Sequence, residues 1–168
     1  MRIALVLVAL LVAVPAAAQN PWELGKEVVG KASVGKLESE INKRLLSESR
    51  KNQCSFKTDT DVLEKGCDPK AKRLANALVD AKKKLQAAGV KNFKFEVSGH
   101  TDSSGSVAHN KELSQRRAEK MKQELAAKGV PGGDIVAVGM GSERPAVKPD
   151  NTPAKKAKNR RYEVQVRL

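Results

Sequence analysis

The chain has 168 residues and a formal net charge of +13, from 32 Lys and Arg against 19 Asp and Glu. Such a charge draws a molecule to polyanions, but three Phe, one Tyr and one Trp give few platforms for stacking bases, so no nucleic-acid partner is expected. The length suits one core with an extension and is too short for two ordinary enzyme domains.

Arg2 and the apolar run from Ile3 to Val14 precede Pro15-Ala16-Ala17-Ala18. The run falls short of the roughly twenty residues that span a bilayer, and Ala16 and Ala18 form the A-x-A pattern of a cleavage site. Residues 1–18 therefore read as a secretory signal peptide cut after Ala18. No later stretch is apolar enough to be a transmembrane segment, and no cysteine stands at the cleavage point to carry a lipid. Export would place Cys54 and Cys67 in an oxidising compartment, where a disulfide closing so short a loop is expected to stabilise by about 3 kcal/mol. Two free buried thiols are the alternative. No histidine stands near either cysteine, so no metal site is expected there.

Residues 19–51 place Val28, Val29, Ala32, Val34, Leu37, Ile41 and Leu45 partly at steps of three and four. This predicts one amphipathic helix, weakly interrupted by Gly30 and Gly35, that packs on the domain, acts as a spacer, or tethers another envelope protein. Residues 52–168 form the domain proper. Asp68-Pro69 reads as the cap and first turn of a helix carrying Leu74, Ala75, Leu78, Ala81 and Leu85 as far as Gly89. Phe93, Phe95 and Val97 alternate with polar residues, a strand with one buried face that ends at Gly99. Asn110 is the expected cap of a second helix with Ala118, Met121 and Leu125 inward, stopped by Gly129-Val130-Pro131. A strand follows at 135–138, residues 139–159 read as loop, and Tyr162, Val164, Val166 and Leu168 alternate as the last strand. The order strand, helix, strand, helix, strand, strand predicts an α+β fold with a mixed sheet covered by helices, since no crossover helix is evident in the last connection.

The chemistry concentrates between Gly99 and Ala118, where a strand end, a polar turn and a helix hold one carboxylate and two guanidinium groups on a rigid frame. At about 100° per residue, the stripe through Ala118, Met121 and Leu125 leaves Arg117 on its border and Arg116 nearly opposite. Asp102 plus Arg117 suits a ligand with an ammonium beside a carboxylate, an amino-acid zwitterion, because one group only accepts and the other is a donor fork. The alternatives are that Asp102 pairs with Arg117 or ties the turn for structural reasons.

Thr101, Asp102, Gly105, Asn110, Leu113, Ser114, Arg117 and Ala118, at their spacing, resemble the signature of the OmpA-like peptidoglycan-binding domains. Gly139-Met140-Gly141, Pro145 and Asn159-Arg160-Arg161-Tyr162-Glu163 resemble later elements of the same family. The resemblance implies a βαβαββ mixed-sheet domain that binds the peptidoglycan stem peptide non-covalently, is not an enzyme and needs no cofactor. It implies that Asp102 receives the ammonium of meso-diaminopimelate and Arg117 its carboxylate, while Thr101, Asn110, Leu113, Arg160 and Arg161 line or support the groove. The implied location is the periplasm of a Gram-negative bacterium, against the cell wall or outer membrane. In the stretch Phe56 to Leu63 the spacing fits the family's first strand, but Lys57 and Thr58 replace its usual residue types. Asp59 falls where the family often has a polar ligand contact, and it reads equally as a turn residue.

Rival functions are weaker. His100, Asp102 and Ser103 or Ser104 are triad residue types, yet they crowd one strand end and no G-x-S-x-G elbow exists. Asp102, Ser104 and Ser106 alternate like calcium ligands, but the bidentate Glu of a calcium loop is missing. An interaction module of the same fold, whose main partner is a protein or an anionic envelope polymer, remains the serious alternative.

Overall fold

The computed structural model describes residues 21–168. The expected signal peptide lies outside the described residues, as do the side chains of Val28 and Val29. The elements are α1 (Pro21–Lys51), α2 (Cys67–Ala87), β1 (Lys94–Gly99), α3 (Val107–Ala127), a 3-10 turn (Gly132–Asp134), β2 (Ile135–Gly139), α4 (Pro153–Asn159) and β3 (Tyr162–Arg167). Among the described residues no helix is long and apolar enough to cross a membrane.

The sheet is mixed, with strand order β2-β1-β3. β1 runs parallel to β2, with Gly99 opposite Gly139, and antiparallel to β3, with Gly99 opposite Tyr162. Phe95, Val97, Val164 and Val166 are fully buried with Leu74, Leu78 and Leu85 of α2 and Met121 and Leu125 of α3, so the helical and strand periodicities meet in one core.

α1 is continuous through Gly30 and Gly35, and its second half belongs to that core through Ile41 and Leu45. It also closes the open edge of β3. Asn42 donates to the Val166 carbonyl (3.2 Å) and accepts from the Val166 N–H (2.7 Å). Gln53, just past α1, does the same for Tyr162, at 2.7 and 3.1 Å. On the opposite edge Gln115 donates to the Ala137 carbonyl and accepts from the Gly139 N–H. Each carboxamide replaces one residue of a missing strand, satisfying backbone groups that an edge otherwise exposes.

This explains why the first predicted strand is reduced to a single bridge between Phe56 and Leu63. The β3 edge where an added strand would pair is already occupied by α1 and Gln53. Three local expectations also change. The N-cap of α2 is Gly66 and not Asp68, because the disulfide-bonded, buried Cys67 already starts the helix; Asp68 lies in the first turn and pairs with Lys128 at the end of α3. Ser106 caps α3 by accepting the His109 N–H, and Asn110 is one turn inside. The stretch expected to be loop contains α4, capped by Thr152 and begun by Pro153. With the composition PAKKAKN it has no apolar stripe to announce it.

Candidate functional site

The site is built where β1 stops. The His100 N–H donates to the Arg161 carbonyl (2.8 Å), the Met140 N–H to the Gly99 carbonyl (2.8 Å) and the Thr101 N–H to the Gly141 carbonyl (2.9 Å). These bonds continue the ladder on both sides of β1 and fix the backbone that carries Asp102. The chain then turns sharply: Asp102 Oδ1 accepts the Ser104 N–H (2.9 Å), and Gly105 takes the left-handed conformation at φ 83°.

α3 returns close over this turn because glycines face it. A β-carbon on Gly99 would lie 2.3 Å from the Ser114 carbonyl oxygen, and one on Gly139 2.5 Å from the Gln115 nitrogen. Only a bare backbone admits the helix at that distance. Buried Ser114 completes the seam by accepting the Gly141 N–H at 2.8 Å. Asn110, also buried, donates to the Ser104 carbonyl (2.8 Å) and holds the loop from below.

A second layer comes from the segment between β2 and β3. Asp150 accepts from the N–H (2.9 Å) and hydroxyl (2.5 Å) of Ser103. Asn159, fully buried, donates to Asp150 (3.0 Å) and accepts from Ala146 and Val147. The Ser103 bonds draw the Asp150 carboxyl down to about 2. Lys156 donates to the Ser104 hydroxyl at 2.8 Å, and Arg160 reaches Asp102 Oδ2 at 2.7 Å.

Asp102 is 8% exposed. Burial opposes its ionisation, but the hydrogen bonds from Arg160 and Ser104 outweigh it and hold the carboxyl below its ordinary range. Arg117 is also 8% exposed. Its Nε donates to the Thr60 carbonyl (2.9 Å), its Nη2 to the Lys57 carbonyl (3.3 Å), and its guanidinium carbon lies 5.1 Å from the centre of the Phe56 ring. Burial and the charge of Arg160 lower its affinity for the proton, while Asp59 and Asp102 act in the opposite sense. Arg117 Nη1 has no hydrogen-bond partner among the described residues.

Asp102 therefore pairs with Arg160 and ties its own turn, whereas Arg117 is held by backbone carbonyls of the 57–60 loop. Arg116 faces solvent and pairs with Glu112. Thr101 and Leu113 are buried beside the turn, with the Thr101 hydroxyl lacking a hydrogen-bond partner among the described residues. Asp59, at φ 57°, binds His109 at the start of α3 (2.6 Å). Arg161 is turned away from Asp102, toward Glu163 (2.9 Å) and the carbonyls of Asn159 and Arg144. His100, buried beside it, is pushed down to about 4 by burial and by the Arg161 charge, and is neutral near pH 7. Its ring bonds to neither serine, because Ser103 is held by Asp150 and Ser104 by Lys156.

Phe56, Asp150 and Lys156 carry parts of this arrangement that sequence reasoning did not assign. The N-R-R element marked Asn159, but no local pattern connects Asp150 to Ser103 across 47 residues. Chemically, the strand end offers one ionised carboxylate and two guanidinium groups whose charges couple, set for a small group with both signs of charge.

Residues 56–160 match the model of the OmpA family. The chain is 53% identical to outer membrane porin F of Pseudomonas fluorescens over 72 residues, 42% of this chain and 22% of that protein. It is 43% identical to the peptidoglycan-binding protein ArfA of Mycobacterium bovis over 70 residues, 42% of this chain and 21% of the relative. The matched segment thus spans a minor part of both relatives. Among solved structures, the peptidoglycan-associated lipoprotein from Burkholderia pseudomallei superposes with a TM-score of 0.56 at 23% identity, covering 68% of this chain and 89% of that one, a likeness of fold.

Proposed function

The chain belongs to the OmpA family, and from that premise we propose that it binds peptidoglycan non-covalently, as a periplasmic anchor or organiser of the cell envelope without enzymatic activity. The ligand is the meso-diaminopimelate of the stem peptide: its ammonium sits on Asp102 and its carboxylate on Arg117, with Arg160 beside both. The observation that carries this reading is the state of the two charges. Both residues are buried, yet their charges are not spent on each other, and each keeps hydrogen-bonding capacity. Burying an ion costs free energy unless partners compensate, and Arg117 is oriented by carbonyls that share its hydrogen bonds without neutralising its charge. The relative ArfA is named for peptidoglycan binding, which supports the same reading.

A second reading is favoured by one feature. Arg144, Lys148, Lys155, Lys156 and Lys158 lie in the segment that braces the site, and none forms a salt bridge with an acid among the described residues. An anionic envelope polymer is then the main partner and the wall a secondary one. Sedimentation with purified sacculi separates the two. The expected result is retention that free meso-diaminopimelate competes away and that survives about 1 M salt, where the Debye length is about 3 Å. Release by salt with no competition by the amino acid favours the polymer.

A further inference from the structure

The strand-poor loop between Cys54 and Cys67 touches α3 through polar and cation–π contacts that its core packing does not account for. Of the residues between the cysteines, only Phe56, Thr60, Asp61 and Leu63 are partly covered, and none is buried. The loop folds back on itself through Lys57 N–H to Val62 C=O (2.9 Å), Glu64 N–H to Ser55 C=O (2.9 Å) and Thr60 N–H to Lys57 C=O (3.2 Å). Its ends belong to different parts of the molecule. The Cys54 N–H donates to the buried Tyr162 hydroxyl (3.2 Å), and Cys67 is the first residue of α2. The disulfide joins them.

Phe56 and Leu63 of the folded loop lean on the core, and its remaining contacts go to two side chains of α3. Its Thr60 and Lys57 carbonyls and the Phe56 ring hold three sides of the Arg117 guanidinium, and Asp59 at its tip holds His109. With no fully buried residue between its ends, the loop gains order from closure at the base as well as from these contacts. A guanidinium recognises a carboxylate by direction as well as charge.

We propose that the disulfide-closed loop is a positioning element of the ligand site, aiming the free edge of Arg117 so that carboxylate recognition depends on the Cys54–Cys67 bond and on Phe56. The inference rests on the reading of Arg117 as the acceptor of the diaminopimelate carboxylate. Phe56, the Lys57 and Thr60 carbonyls and the disulfide act through Arg117 without touching ligand.

The test uses the whole exported chain and two stem tripeptides, one with free meso-diaminopimelate and one amidated at the carboxylate beside the free ammonium, titrated calorimetrically. The readout is the ratio of the two Kd values. In the oxidised protein the free carboxylate is preferred, and in Cys54→Ser/Cys67→Ser the preference is expected to fall about tenfold, the scale of one misaligned hydrogen bond to a charged group. Phe56→Leu keeps the disulfide and an apolar side chain, guards against misfolding of the double variant, and is expected to lower the ratio several-fold, on the scale of a lost cation–π contact. An unchanged ratio in both variants overturns the proposal, including the case where both Kd values rise together, since that is general loosening. If the oxidised protein binds neither tripeptide, the parent reading fails and this proposal with it.

Discussion

Replacing Asp102 by alanine is expected to weaken binding of the free stem tripeptide by about 2 to 4 kcal/mol, the loss typical of truncating one member of a desolvated charge pair. On the proposed reading the variant removes the acceptor for the ligand ammonium, and it leaves Arg160 without its 2.7 Å partner. Asp102→Asn keeps the shape and the Ser104 turn contact but removes the charge, and it should bind nearly as poorly. Calorimetry on the wild type and both variants checks this; near wild-type affinity in Asp102→Asn would show that charge at this position is dispensable. The same group sets the pH dependence. Because its folded-state pKa is depressed, Asp102 contributes stability that is present above the ordinary carboxylate range and is lost as pH falls through the depressed value. Binding through it is therefore expected to be lost at a lower pH than it would be with an unperturbed carboxylate.

Gly139→Val is expected to cost about 3 kcal/mol of folding stability, at the upper end of ordinary overpacking, and to abolish ligand binding with it. The neighbours a β-carbon would meet are the Gln115 nitrogen at 2.5 Å, the Lys111 carbonyl oxygen at 2.7 Å and the Gln115 α-carbon at 2.8 Å, all α3 backbone with no rotamer to change. Relief requires α3 to move off the sheet, which carries Arg117 away from Asp102 and breaks the Gln115 contacts to the β2 edge. A urea midpoint that drops at constant slope is the expected signature. Gly35→Ala is the control, since nothing lies within 4 Å of a β-carbon there and α1 is helical around it. That change should stabilise by up to about 1 kcal/mol through helix propensity, so a comparable loss in both variants would point to something other than the α3 contact.

The elements most legible in the sequence are those whose own periodicity reports burial. α2 shows Leu74, Leu78 and Leu85 at helical steps, and β1 and β3 alternate, because a half-buried element must repeat its apolar residues at its own period. The mixed sheet is readable from element order, and the disulfide from the export that the N-terminal apolar run leads one to expect. α4 is not, because a short polar helix resting on a loop has no stripe to repeat. The strand expected at Phe56 fails for a different reason. Its local spacing is compatible with a strand, but a strand needs a vacant edge, and α1 occupies it through Asn42, Ile41 and Leu45.

The site divides along the same line. By itself the sequence determined which residues stand at the end of β1 and on the inner border of α3, since those positions follow from strand length and helix phase. Only the tertiary structure decided how they are partnered. Asp102 meets Arg160 from 58 residues away, Arg117 meets carbonyls 57 and 60 residues away, and Arg161, next to Arg160, faces Glu163 of β3. Such pairings depend on how distant segments come together, and two glycines that let α3 approach the sheet are part of that. Neither contributes a periodic signal.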